Sequence, residues 1–240
     1  MDPDEPQRLN EIATHWTQVR LALQGQGPAA AVAQGELFLR YQGAMRRYLQ
    51  AALRDPEAVD DLMQDFAVAL VSGGFRHARP ERGRFRDYLK GVLFHLVRKH
   101  QRSEYRRARR LSANVDLTDP ECFTSACDEQ FRQSWRDELL ARTWEALVTR
   151  EPTYFTVLHF RAAHPDMASE RMVAELSPQL GKPLTAAGVR QTLHRARKCF
   201  VNLLLQQVAG SLEFPTPGAI QEELRELQLN RFILTPVPAH

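Results

Sequence analysis

The sequence predicts an all-α fold of two small helical domains joined by a flexible linker, with helical extensions at both ends. Three observations point there. Apolar residues recur at spacings of three and four along most of the 240 residues, and strict alternation is hard to find. Helix start and stop signals punctuate the chain at regular intervals. Between the two helical halves lies SANVDLTDPECFTSACD, a run of turn formers, acids and small residues.

In chain order, residues 8–23 carry Leu9, Ile12, Trp16, Val19, Leu21 and Leu23 before GQGP breaks the pattern. A second helix is expected from Ala29 to Leu53, with Leu37, Tyr41, Met45, Tyr48 and Leu49 as its buried stripe. Asp55-Pro56 starts a third, because Asp accepts from a free amide at the N-cap and Pro has no amide to lose at the first turn. It runs to Val71 and packs Val59, Leu62, Phe66 and Leu70. Ser72-Gly73-Gly74 ends it, and the basic loop FRHARPERGR follows. A fourth helix spans Phe85 to Arg110. Its first half packs Phe85, Leu89, Val92, Leu93 and Leu96, whereas its second half, RKHQRSEYRRARR, is charged nearly all round and offers little to a core.

Beyond the linker, helices are expected over 129–149 and 152–163, then a helix-turn-helix. In that motif, Ser169–Leu176 is the first helix and SPQLGKP an unusually long turn. Thr185 caps a last long helix to Val208, packed by Ala187, Val189, Leu193, Ala196, Phe200 and Leu203. FPTPG breaks the chain before a final amphipathic helix over 219–229. The expected division is an extension at 1–28, a domain at 29–110, the linker at 111–128, a second domain at 129–210 and an extension at 211–240. Trp16 and Leu23 at one end, and Leu224, Leu227, Leu229 and Phe232 at the other, either finish the two cores or dock a partner.

The net charge of +3 conceals an asymmetry. Thirteen Lys/Arg lie between Arg76 and Arg110, opposed only by Glu81, Asp87 and Glu104, so the remainder of the chain is acidic on balance. One face for a polyanion and another for something else would explain this. The three cysteines, Cys122, Cys127 and Cys199, have no disulfide or zinc spacing and suit a reducing cytoplasm. The acidic N-terminus does not read as a signal peptide, and no apolar run approaches the length of a membrane span. No cofactor, metal or membrane partner is expected.

Three features carry chemistry. In the fourth helix, cations are interleaved with Phe85, Tyr88, Phe94, His95 and Tyr105: cations neutralise phosphates, and aromatic faces stack on unpaired bases. In Leu184–Gln207, Arg190, Gln191, His194, Arg195 and Lys198 fall on the side opposite the core stripe, as a major-groove reader requires; Arg197 lies nearer the core seam. On the third helix, Asp60, Asp61, Gln64 and Asp65 form an acidic patch. It is open to three readings: a solvated face, a metal site for phosphoryl chemistry, or a protein-docking face. No nucleophile or His base accompanies it, so an enzyme is not expected.

In this order, the features resemble the extracytoplasmic-function sigma factors of bacterial RNA polymerase, over 34–110 (region 2 of that family) and 137–208 (region 4). PEAVDDLMQDFAVALV resembles the helix that docks on the β′ clamp. GRFRDYLKGVLFHLVRKHQR resembles the segment that captures the melted −10 element, and GVRQTLHRARKCFVNLL the helix that reads the −35 element. The resemblance implies a promoter-binding initiation factor with polymerase contacts at Asp60, Asp61, Gln64 and Asp65. It implies −10 contacts at Arg84, Arg86, Tyr88, His95, Arg98, Lys99 and Arg102. It implies −35 contacts at Thr185, Arg190, Gln191, His194, Arg195 and Lys198. Core polymerase (β′ clamp and β flap), promoter DNA and an inhibitory anti-sigma protein are the implied partners. Tyr88 stands where the family usually has Trp, His95 where it often has Asn and Lys99 where it often has Asp; the turn SPQLGKP is longer than the family's. The alternative is a helix-turn-helix regulator that does not engage polymerase; RNA binding through Arg98–Arg110 and a metal-dependent nuclease are further alternatives.

Overall fold

The computed structural model describes residues 15–53, 55–75, 78, 84–111, 123–212, 214–230 and 232, and side chains within these except at 15–17, 107–111 and 123–127. Every regular element among them is a helix. There are nine: α1 (His15–Gln24), α2 (Pro28–Leu53), α3 (Pro56–Val71), α4 (Phe85–Leu111), α5 (Phe123–Arg150), α6 (Pro152–Ala163), α7 (Ser169–Leu180), α8 (Ala186–Ala209) and α9 (Pro217–Glu226). The predicted Leu9 and Ile12, and the basic loop apart from Phe75, Ala78 and Arg84, lie outside the described residues. No described helix is long and apolar enough to cross a membrane.

The chain divides into two compact units, residues 1–138 with 210–216, and 139–209 with 217–240. In the first, α2 packs against α1, α3 and α4. The stripe Leu37, Tyr41, Met45, Tyr48 and Leu49 is buried as its spacing requires. Asp55 caps α3, accepting from the Glu57 amide at 3.0 Å, with Pro56 in the first turn. The stripe of α4 differs from expectation: Phe85, Leu89, Leu93 and Val97 are buried, four apart, while Val92 and Leu96 are half-exposed. Those two lie one residue off the buried row, about 100° round the helix.

The larger correction concerns 123–138. The predicted linker extended to 128, but α5 is already helical at Phe123, and its first half belongs to the first unit. Trp135 stacks on Tyr41 at 4.9 Å, with Phe85 on that tyrosine at 5.3 Å, and Phe131 meets Tyr48 edge-on at 5.8 Å. Glu138, nearly buried, accepts from Arg47 at 2.7 Å. Gly43 makes room for this pair, since a Cβ there would collide with the Glu138 carboxylate. The units therefore divide within α5, between Glu138 and Leu139, rather than in the segment 111–128. Residues 112–122 of that segment lie outside the described residues.

In the second unit, α6, α7 and α9 pack on α8, and α6 also meets α7. Val189, Leu193, Ala196, Phe200, Leu203, Leu204 and Val208 form the buried row of α8; Ala187, expected inside, is exposed. Trp144 lies against Phe200 at 4.6 Å. Leu224, Leu227 and Leu229 are buried and complete this core, and Val19, Ala22 and Leu23 do the same for the first unit. The connection between α7 and α8 is tighter than SPQLGKP suggested. The helix continues through Pro178 to Leu180, and Gly181, left-handed at φ 62, closes it. Pro178 sits in the last turn, where it gives up one bond to the preceding turn without ending the helix. Five residues then remain between the helices, and the Ser177 hydroxyl accepts from the Leu184 amide at 3.2 Å to hold them.

Candidate nucleic-acid interface

Asp60, Asp61, Gln64 and Asp65 are all exposed on α3, because the helix buries the opposite row Ala58, Val59, Leu62, Met63 and Phe66. Asp60 pairs with Arg46 of α2 at 2.6 Å, both side chains largely in solvent. Such a pair contributes little to stability and leaves the carboxylate available to another cation. The same face continues into Val68 and Val71, 60% and 70% exposed. At steps of three and four, Asp61, Gln64, Asp65, Val68 and Val71 form one stripe, acidic at its start and apolar at its end. The two valines were not among the predicted site residues. Their signal was present, since neither falls in the packing register of Val59, Leu62, Phe66 and Leu70.

The α4 candidates separate into two groups. Those near its start are buried or half-buried. Arg84 bonds Asp87 at 3.2 Å, next to the first turn. Arg86, expected to contact a strand, is only 5% exposed, with its Nε 3.9 Å from Asp87, so little of its surface is open. Tyr88 is half-buried, edge-on to Phe75 at 6.4 Å, and burial pushes its phenol pKa above the ordinary value. Lys90 pairs with Asp128 at 3.0 Å.

The second group faces water. His95, Lys99, Arg102 and Arg106 are exposed. The Arg98 guanidinium lies 5.3 Å from the Phe94 ring centroid, a cation–π contact that holds the charge at the surface. Among the described residues, Lys99, Arg102 and Arg106 have no carboxylate partner. Among the described side chains of α4, Val97 is the last that is buried; beyond it Arg98, His100 and Tyr105 are half-exposed and the others exposed. Side chains 107–111 lie outside the described residues.

On α8, Thr185 is the cap that its sequence position predicts, its hydroxyl accepting from the Gly188 amide at 3.0 Å. Arg190, Gln191, His194, Arg195 and Lys198 are exposed, and Arg197 is half-buried. Arg190 bonds Glu170 of α7 at 3.2 Å, which fixes it across the turn. Cys199 is half-buried, and burial is the larger reason its thiol pKa is raised, with Glu151 adding to it and Arg150 opposing. That leaves it a poor nucleophile near neutral pH.

The candidate residues thus belong to two units. The α3 and α4 rows are in the first and the α8 row in the second. Among the described residues, no group of three or more His, Cys, Asp or Glu could hold a metal ion. No protein-family model, curated protein or solved structure matches the chain.

Proposed function

We propose that the chain is an initiation factor of the sigma type, which binds core RNA polymerase and directs it to promoters. The reading rests on one observation. A single compact unit exposes both a carboxylate row ending in apolar residues (Asp61, Gln64, Asp65, Val68, Val71) and a cationic row without carboxylate partners among the described residues (Lys99, Arg102, Arg106). Two partners of opposite character can therefore be held at once. A protein suits the first row, because apolar residues at the end of a charged stripe gain by being covered. A nucleic-acid strand suits the second, because Lys and Arg side chains neutralise phosphates and release their condensed counterions to solution.

The second unit supplies a capped helix with five exposed polar or cationic side chains over Arg190–Lys198, the form of a duplex reader. Its attachment to the first unit lets two moderate affinities multiply. An inhibitory protein of the anti-sigma type, the −10 and −35 roles and a cytoplasmic location belong to the same proposal. A helix-turn-helix regulator would use α8 in the same way but leaves the α3 stripe without a purpose.

The test is transcription from a promoter library by purified core polymerase, with and without this chain. The expected result is a set of transcripts that appear only with the chain and share two upstream sequence elements. Transcription unchanged by the chain would refute the proposal.

A further inference from the structure

We propose that the second unit contains a binding site for a single-chain amphiphilic anion, an alkyl carboxylate in chemical class. The site is a cavity of about 660 Å³ formed by α5, α6 and α8. That volume falls in the range that accepts small molecules, roughly 300–1,000 Å³. Trp144, Leu158, Phe200 and Val201 give it apolar walls. Trp144 is fixed there by edge contacts to Phe155 and His159, both at 5.9 Å, and by Phe200, so the walls are preformed.

The fully charged residues of the lining, Arg161, Arg197 and Lys198, are all positive, and His194 and Asn202 are its other polar members. Arg161, His194, Arg197 and Lys198 border the cavity, and no acidic residue does. Among the described residues none of the four has a carboxylate partner. Arg161 donates to neutral acceptors only: the carbonyls of Pro165 at 3.0 Å and Met167 at 2.6 Å, and the Met172 sulfur at 2.8 Å. These bonds hold the guanidinium without cancelling its charge. His194 and Lys198, four residues apart, and Arg197 beside them line the α8 side. An alkyl chain would exchange water for the apolar walls, and its head group would meet cations that no described carboxylate neutralises. A neutral ligand would use only the walls, and a cation would be repelled.

This site does not depend on the promoter reading. The test is calorimetric titration of the full chain with monomeric decanoate, decanol and decyltrimethylammonium. Decanoate is expected to bind once per chain, at least about tenfold tighter than decanol (about 1.4 kcal/mol), and decyltrimethylammonium more weakly than either. The double variant Arg197→Gln/Lys198→Gln, which leaves Arg161 in place, should bring decanoate closer to the affinity of decanol. Ala162→Trp, which fills the cavity from an exposed lining position, should abolish binding of both, with thermal melting followed as a check on folding. Absent decanoate binding, equal affinity for decanol, or decanoate binding indifferent to Ala162→Trp in a folded chain would each overturn the proposal.

Discussion

Helices α4 and α8 are the two long basic helices of the molecule, and they use their charge differently. The buried row of α8 runs from Val189 to Ala209, so its cations are confined to one side. The buried row of α4 stops at Val97, and past that point its described side chains are exposed or half-exposed. A helix half-embedded in a core presents a fixed row to a rigid groove. A helix that leaves its core presents charge in several directions, which suits a flexible strand whose phosphates and bases face different ways. Cation count alone does not separate the two cases; where the apolar row ends does.

The comparison can be broken at several levels. The largest effects are in the two cores. Leu93→Ala and Leu193→Ala should each cost about 2–5 kcal/mol, measured by urea unfolding. Because the two residues lie in different compact units, each variant should shift a different part of the unfolding curve. A single common shift for both would merge the units.

A smaller effect separates the two surfaces. Arg195→Ala should weaken binding to one preferred duplex by about tenfold or more while sparing unrelated duplexes. Arg102→Ala should weaken single-strand binding equally for all sequences and lower the salt slope by about 0.7. Fluorescence anisotropy across a salt series reads both. The reverse pattern would exchange the roles assigned to α4 and α8.

The smallest effect tests the packed start of α4. Burial raises the Tyr88 phenol pKa, so the folded state keeps this proton more firmly than the unfolded chain does. Stability is therefore unaffected below about pH 10, the ordinary phenol value, and falls as pH rises above it. Denaturant titrations at alkaline pH should show this fall reduced in Tyr88→Phe. A fall that is the same in both proteins would put Tyr88 in water.

Much of this was legible in the sequence because the relevant signals are local. The Asp55-Pro56 start, the Thr185 cap and the stripes of α2 and α3 need only the 3.6-residue period and the chemistry of free amides. The outward directions of Asp61, Gln64, Asp65, Arg195 and Lys198 followed from the same period. What escaped depended on tertiary contacts. The segment Phe123–Asp128 looks like a linker by composition, and it is the packing of Phe131, Trp135 and Glu138 just beyond it that ties the first half of α5 to the first unit. Arg86 reads as one more surface arginine in a basic run, yet its place in the first turn of α4 puts it inside beside Phe85. Pro178 reads as a helix breaker, but in a last turn closed by Gly181 it is tolerated. The cavity beside Trp144 has no linear signature, because its walls come from three helices.

The central claim is that α3 and α4 serve two different partners, and paired charge reversals test it most directly. Asp61→Lys/Asp65→Lys and Lys99→Glu/Arg102→Glu would be compared for capture by immobilised core polymerase and for binding to a melted-bubble promoter fragment in the absence of polymerase. The account predicts that the first variant loses polymerase and keeps DNA, and that the second keeps polymerase and loses DNA. Loss of both partners by each correctly folded variant, or of neither by either, would contradict it.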